Sequence, residues 1–330
     1  MRVPADYANR ADNAEVLFVE RALTYVETEA YNTEFPPLEG LKYVPTVVEG
    51  HPGAKFTAYK QYTRTGIARL VTARGQDLPT TKLYVNEYSH PYARLGISYE
   101  YTMDDLLAAQ FAAQGGGPSL NIDLEQALAA REGIDRALDC VAGIGSATSA
   151  TIPGLSDTIG ADIGLLGLLN QPNASTYTPA AGAASASTAW SGKTPDEKVA
   201  DLTGMYASVV NSTRKIFKID TILLPILQFE NANGQRMGDG SDETVISFFK
   251  KIKKDVTIDS WQYCAGAGTN GVDRAVGFMN NKRYVRHTIS QTFQQLPVQM
   301  NDFEFKVPCT AKTAGVICPY PLSIVYMDSI

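Results

Sequence analysis

Histidine and cysteine are scarce in this chain. Three histidines (His51, His90, His287) and four cysteines (Cys140, Cys264, Cys309, Cys318) stand among 330 residues. So few imidazoles limit both metal sites and general-base chemistry. No two cysteines have C-x-x-C spacing, which argues against a zinc knuckle. The thiols read as reduced groups of a cytosolic protein, although four would permit two bridges. There is no G-x-S-x-G and no H-E-x-x-H, and the plentiful carboxylates form no pair that stands out by spacing. The expectation is a protein that is not an enzyme, with no catalytic residue, cofactor or metal. No apolar run reaches the length of a membrane span, so no membrane partner is expected. The opening MRVPADYANRADNAEVLF has only a short apolar stretch that follows acids, unlike a signal peptide. Without secretion, the sequons Asn173-Ala174-Ser175 and Asn211-Ser212-Thr213 carry no meaning. A net charge of −6 argues against a body that binds nucleic acid in general.

What is present centres on residues 55–101, read as two long strands folded on each other. The outgoing limb is KFTAYKQYTRTGIARLVT, and the tip ARGQDLPTTK carries Gly75, Asp77 and Pro79. The return limb, from Leu83 to Tyr101, ends with Leu95, Ile97, Tyr99 and Tyr101 on one side and Gly96, Ser98 and Glu100 on the other. An isolated two-stranded ribbon is marginal in water, so one this long needs something to lie on. Residues 55–95 hold seven basic groups against two acids, and residues 1–54 four basic groups against nine acids. An acidic arm and a basic ribbon can mate within a subunit or between copies. The plainer account is a solvated hairpin whose charges prevent edge pairing.

Around the ribbon the chain has a definite order. Val16, Val19, Leu23 and Val26 fall at helical spacing over 14–28. TEAYNTEFPPLEGLKYVP, with Pro36-Pro37 and Gly40, follows as an extended arm. Thr102 caps a short helix with Asp104 and Asp105 in its first turn, ended at 115–118. Asn121 caps the longest helix, 121–144, whose Ala127, Ala130, Ile134, Ala137, Val141 and Ile144 make one narrow seam, with Gly143 and Gly145 as its stop. At 1.5 Å per residue it spans about 35 Å, a spine for a sheet. Residues 146–190 read as loop; 173–192 carry no charged side chain. Helices are expected at 194–211 and 242–254, the latter with Val245, Phe248, Phe249 and Ile252 inward, and strands at 221–224, 257–264 and 274–279. Alternating helices and strands make 150–285 a separate α/β lobe. The end returns to strands, with Phe303, Phe305 and Val307 alternating with Glu304 and Lys306.

Two phosphate-site motifs fail on context. Ser191-Gly192-Lys193-Thr194 matches the end of a P-loop, but Ser187 stands where the first glycine belongs and no strand precedes it. A helix cap formed by Thr194, Pro195 and Glu197 accounts for it better. Residues 266–271, GAGTNG, match G-x-G-x-x-G, but no helix follows and no acid occurs between Asp273 and Asp302. A glycine-rich hairpin turn is the better account. His51 and His90 each precede a proline and read as polar surface at turns.

This order of parts resembles the Hong Kong 97 fold of tailed-bacteriophage major capsid proteins and of the related encapsulin shells. YVETEAYNTEFPPLEGLKYVP resembles the family's arm, 55–101 its E-loop with the adjoining strand, and GLLNQPNA (167–174) the passage into the axial domain. GVICPYPLSIVYMDSI is similar to the terminal strand of a capsid subfamily. The resemblance implies an α+β fold with four parts. These are an arm (1–54), an E-loop and strand (55–101), a peripheral domain (102–149 and 286–330) built on the spine helix, and an axial domain (150–285). It implies a virion shell protein assembled in the host cytoplasm. Hexamers and pentamers of many copies would enclose double-stranded DNA without sequence-specific binding, with scaffold, portal and cement proteins as further partners. Arg64, Arg69, Arg74 and Lys82 would meet acidic faces of neighbours, including the arm residues Glu27, Glu29 and Glu34. A cargo-holding encapsulin-like shell is the alternative, and a nucleotide-using enzyme resting on Lys193 or the 266–271 glycines a remote one.

Overall fold

The structure is a computed structural model. It describes residues 36–70, 78–114, 122–146, 159–160, 163–183, 186–238, 240 and 242–330, without the side chains of 109, 112–114 and 122. The helix read at 14–28, the Asn121 cap, the 115–118 stop, Arg74, Glu27, Glu29 and Glu34 lie outside these residues. In chain order the elements are α1 (Gly40–Tyr43), β1 (Thr46–Val48), β2 (Phe56–Thr65), β3 (Lys82–Pro91), β4 (Ala93–Thr102), α2 (Met103–Gln114), α3 (Ile122–Ile144) and β5 (Ser175–Tyr177). Then come α4 (Pro195–Ser212), β6 (Thr221–Leu224), α5 (Ile226–Gly234), α6 (Val245–Ile252), β7 (Thr257–Ser260), β8 (Arg274–Phe278), β9 (Arg286–Gln295), β10 (Gln299–Asn301), β11 (Glu304–Ile317) and β12 (Ile324–Asp328).

The first sheet is organised by β11. Its one side pairs antiparallel with β4, from Glu304 opposite Thr102 to Thr313 opposite Ala93. Its other side pairs with β10 and then β9, and β1 adds a parallel edge to β9. The alternation read in 95–101 is the register of β4: Tyr99 is buried against α3 with Ala130, Ile134, Leu138, Val307 and Ala311. The α3 seam is narrow only in its first half. From Leu138 to Ala142 every side is covered, because α1 and the passage after 163 close over it. The backbone N–H of Gly40 donates to the Asp139 carboxylate there. Gly143 lies inside the helix against Tyr263, and Gly145 alone stops it, at φ +69. A Cβ at Gly145 would stand 2.3 Å from the Leu165 carbonyl oxygen.

The second sheet runs β5-β12-β8-β6-β7. Its core gathers Trp190, Leu202, Met205, Ile222, Phe249 and Met327 beneath α4 and α6. The α4 start is the capping box expected of Thr194 and Glu197, and α6 starts from Thr244 and Ser247 in the same manner. Three expectations change here. β12 stands between β5 and β8 and not with the strands after residue 286, because Tyr326 and its neighbours are apolar enough for the middle of a sheet. Residues 266–271 are not a hairpin turn: β6 lies between β7 and β8, so this segment crosses the end of β6. β5 falls in the stretch read as loop, where Ser175-Thr176-Tyr177 is too short to show a period.

The 166–171 passage joins the two sheets. Val316 N–H donates to Leu166 O at 2.7 Å. Gln171 donates through Nε2 to Gly167 O (2.6 Å) and Val316 O (2.9 Å), while its N–H donates to the Tyr326 hydroxyl at 2.9 Å. That hydroxyl in turn donates to Leu168 O at 2.6 Å. Buried backbone groups with no regular ladder are thus satisfied by two side chains.

Candidate functional site

β2 and β3 form a hairpin that belongs to neither sheet. Its register runs from Phe56 opposite Pro91 to Thr65 opposite Lys82. The return limb does not continue straight to Tyr101. It breaks at Tyr92, whose hydroxyl donates to Glu49 O at 3.0 Å and whose N–H donates to Lys55 O at 2.9 Å. Lys312, buried on β11, donates to Pro52 O (2.7 Å) and Ala54 O (2.6 Å) and sits 5.7 Å from the Tyr92 ring centre. This clamp fixes the root while the rest projects.

Both faces of the projecting part are open. Period-two alternation puts Phe56, Lys60, Tyr62 and Arg64 with Glu87, Val85 and Leu83 on one face, and Tyr59, Thr63 and Thr65 with Tyr88, Tyr84 and Lys82 on the other. Phe56, Tyr62, Leu83, Tyr84 and Val85 are all more than half exposed, and beyond the strands Ile67, Leu70 and Leu78 are more exposed still. Of the predicted basic contacts, Arg64 and Lys82 fall on opposite faces and Arg69 lies in the described part of the tip. Among the described residues none of the three has an ion-pair partner; the pair within the ribbon is Lys60 with Glu87 at 3.9 Å.

A second open apolar surface was missed in the sequence. α2 carries Met103, Leu107 and Phe111 at intervals of four, all exposed, with Phe111 at 79%. Leu124 and Leu128 at the start of α3 are exposed as well. The signal was the run LLAAQFAAQ, apolar on more than one side of a helix, which is the mark of an element covered by something. Asp104, Asp105, Asp123 and Glu125 stand in the first turns of the same two helices.

Between the hairpin root and the inter-sheet passage lies a cleft of about 190 Å³, walled by Tyr59, Gln61, Tyr88 and His90 on one side and Gln171, Asn173 and Cys318 on the other. His90 is not at a surface turn: it ends β3, half buried, its ring stacked on Tyr59 at 5.8 Å and 13°. Burial, and then the nearby Arg286 charge, hold its pKa below the usual histidine value. Burial pushes the Cys318 thiol up to about 11, so it is inert at neutral pH. All four cysteines are free and buried. Among the described residues no cluster of His, Cys, Asp and Glu can hold a metal, and no helix is long and apolar enough to cross a membrane. Lys193 is no phosphate ligand, since it lies buried 2.6 Å from Asp201.

The comparisons agree with this architecture. The pattern of the major capsid protein family matches residues 66–330. A search of the curated proteins finds no match. Among solved structures, the capsid of Myoviridae phage XM1 is similar, with 17% identity, a TM-score of 0.76, and 94% of this chain and 98% of that one covered. A Mycobacterium phage Bobi chain gives 14% identity, a TM-score of 0.59, and 94% and 96% coverage. A Gordonia phage Cozz chain gives 13%, 0.57, and 92% and 90%. At such identities the likeness is one of fold, and the family match extends it to role: this chain belongs to the major capsid protein family and is a structural protein of a tailed-phage shell with the Hong Kong 97-type fold.

Proposed function

We propose that each copy is one tile of an icosahedral head, and that hexamers and pentamers of it close around double-stranded DNA. The observation that carries this is the β2–β3 hairpin, ten residues a strand, with apolar side chains on both faces and, among the described residues, no pairing with either sheet of its own chain. Such a ribbon is marginal alone and becomes ordered by lying on another surface. The receiving surface is α2 with the start of α3 on a neighbour. Its exposed Met103, Leu107, Phe111, Leu124 and Leu128 suit the apolar tip, and its acids suit Arg64, Arg69, Arg74 and Lys82. The arm acids Glu27, Glu29 and Glu34 lie along a neighbour's ribbon in the same interlock. Magnitudes rank the two contributions. Covering one exposed Leu or Phe is worth about 1.5–3 kcal/mol, whereas an exposed ion pair is worth about 0–1. Apolar contact stabilises the shell and charge sets its register.

The first sheet with α3 serves as the peripheral domain. The second sheet, now including β12, serves as the axial domain whose loops meet at the five- and six-fold axes. A chain of net charge −6 suits a container whose wall does not hold DNA tightly. Scaffold, portal and cement proteins are its further partners, and four buried free thiols fit assembly in a reducing host cytoplasm.

Negative-stain electron microscopy with light scattering on the purified protein tests the proposal. Closed shells, or rings of five and six copies, are expected, and Arg64→Glu with Arg69→Glu should reduce their yield at low salt more than at high salt. Monomers or dimers alone under assembly conditions, with the charge reversals silent, would overturn it. Native particles that hold protein cargo and no nucleic acid would overturn the DNA-enclosing role.

A further inference from the structure

One end of the second sheet gathers cations from three separate stretches of chain. β6 and β7 start there side by side, with Thr221 opposite Thr257, and β8 ends there, with Phe278 opposite both Thr221 and Ile324. The segment before β6 brings Arg214, Lys215 and Lys218, the one before β7 brings Lys250, Lys251, Lys253 and Lys254, and the one after β8 brings Lys282 and Arg283. Ring contacts tie the turns together: Phe217, Tyr284 and Tyr320 stand 5.6, 5.7 and 5.8 Å apart, centre to centre. Lys253 Nζ lies 4.3 Å from the Tyr206 ring centre. These nine cations are drawn from 29 basic groups in a chain of net charge −6. All but Lys253 are exposed. Among the described residues, Lys251 alone of the nine has an ion-pair partner, Glu243. The acids in the same segments are Asp220 and Asp255. Asp220 Oδ1 already accepts from Asn280 N–H at 2.7 Å and from the Thr221 hydroxyl at 3.0 Å.

Two ordinary causes fall short. A cation near a helix C-terminus complements the dipole, and α4 and α6 both end here. That effect fades within the last turn and leaves Lys218, Lys282 and Arg283 without a cause. Turn geometry does not ask for these residues either. Arg214 and Lys215 follow α4 in left-handed backbone, φ +50 and +67, with Lys215 N–H donating to Val210 O at 2.8 Å. Glycine takes such positions with less strain. Like charges crowded on one surface repel unless an anion meets them. Lysine, which supplies seven of the nine, is depleted in protein–protein interfaces. Lys and Arg together neutralise nucleic-acid phosphates whatever the base sequence. We propose that this end of the second sheet is a contact surface for the phosphate backbone of duplex DNA; taking that DNA as the packaged genome rests on the shell reading above. The row from β8 across β6 to β7 covers two strand spacings, about 10 Å, the rise of about three nucleotides along one DNA strand. The hold by one copy is weak and salt-sensitive because the rest of the chain is acidic, which agrees with a wall that does not grip its contents.

Fluorescence anisotropy of a labelled random-sequence duplex, titrated with unassembled full-length protein between about 50 and 200 mM salt, tests the surface. The logarithm of the binding constant should fall against that of salt with a slope of about −3, roughly 0.9 for each phosphate. Lys215→Gln, Lys218→Gln, Lys282→Gln and Arg283→Gln together should remove most of that slope. Lys55→Gln, Lys60→Gln, Arg131→Gln and Lys306→Gln together make an equal change of net charge at exposed positions elsewhere and should leave it. Two equal losses, or a wild type that leaves the duplex free at the lowest salt, would overturn the surface. Poly-glutamate that displaces the duplex at equal charge would overturn the phosphate assignment in favour of an acidic protein. Assembled particles give a second reading that needs no variant. Amine acetylation, read by mass spectrometry, should spare Lys215, Lys218 and Lys282 in DNA-filled shells and label them in empty ones. Labelling that does not differ between the two would overturn the genome assignment and leave the shell reading standing. A chain that forms no shell would overturn the shell reading alone, because the duplex titration does not depend on it.

Discussion

His287 should make the subunit acid-labile by an amount that the geometry sets. The ring is fully buried in β9, with Nε2 2.9 Å from the Thr313 hydroxyl oxygen. That hydroxyl donates its single proton to Thr288 O at 2.9 Å and accepts from Gly315 N–H at 3.0 Å. Nε2 must therefore be the donor to Thr313, which leaves Nδ1 unprotonated, and Nδ1 is buried without a partner. A second proton would add a buried charge with no acceptor for it among the described residues, so burial lowers the pKa from 6.5 to about 4. The unfolded chain takes up that proton from about pH 6.5 downwards while the native chain does not. Stability is complete above pH 6.5, falls as pH drops toward 4, and levels off below, where both states are protonated. Two and a half pH units at about 1.36 kcal/mol each give roughly 3 kcal/mol, a large part of a typical 5–15 kcal/mol domain stability. The check is guanidinium unfolding of full-length subunits at intervals from pH 7.5 to 4, for the wild type and for His287→Gln. The amide of glutamine keeps a donor for Thr313 but does not titrate in this range. Carboxylates titrate alike in both proteins, so the difference curve isolates the histidine. The variant should lose about 3 kcal/mol less than the wild type over that interval. Parallel curves would refute the argument.

Two further changes probe other elements. Lys193→Met leaves Asp201 buried with only the Trp190 Nε1 donor at 3.0 Å. It should cost about 3–5 kcal/mol by thermal unfolding, with Asp201→Leu added to Lys193→Met recovering most of it. Lys312→Met removes the donor to Pro52 O and Ala54 O, a loss of about 1–3 kcal/mol for the stranded carbonyls. Limited proteolysis should then cut faster between residues 55 and 91, and an unchanged cleavage rate would show that the clamp does not hold the root.

How much of this was legible depended on whether the cause was local. Thr194 and Glu197 announced the α4 cap because a capping box needs only three residues of context. The 95–101 alternation gave the buried face of β4 because a strand's period is two whatever it packs against. The positions that failed depend on partners distant in sequence. Gly143 and Gly145 are equal as letters, yet one faces Tyr263 within the helix and the other turns the chain at φ +69. The 266–271 glycines fit a hairpin until β6, some forty residues earlier, is found between the two strands they connect. His90 precedes a proline as turns often do, yet its burial is created by the cleft floor near Gln171 and Cys318. Lys312 had a readable signal, a lone lysine in the apolar run VPCTAKTAGVICPY; a charge in such a place is tolerated only with fixed acceptors. The same logic extends past one subunit. The exposed leucines and aromatics of the hairpin and of α2 are poor choices for a chain that stays alone in water. They become ordinary core residues once other copies cover them, so the sequence is locally consistent with the shell and not with the isolated subunit.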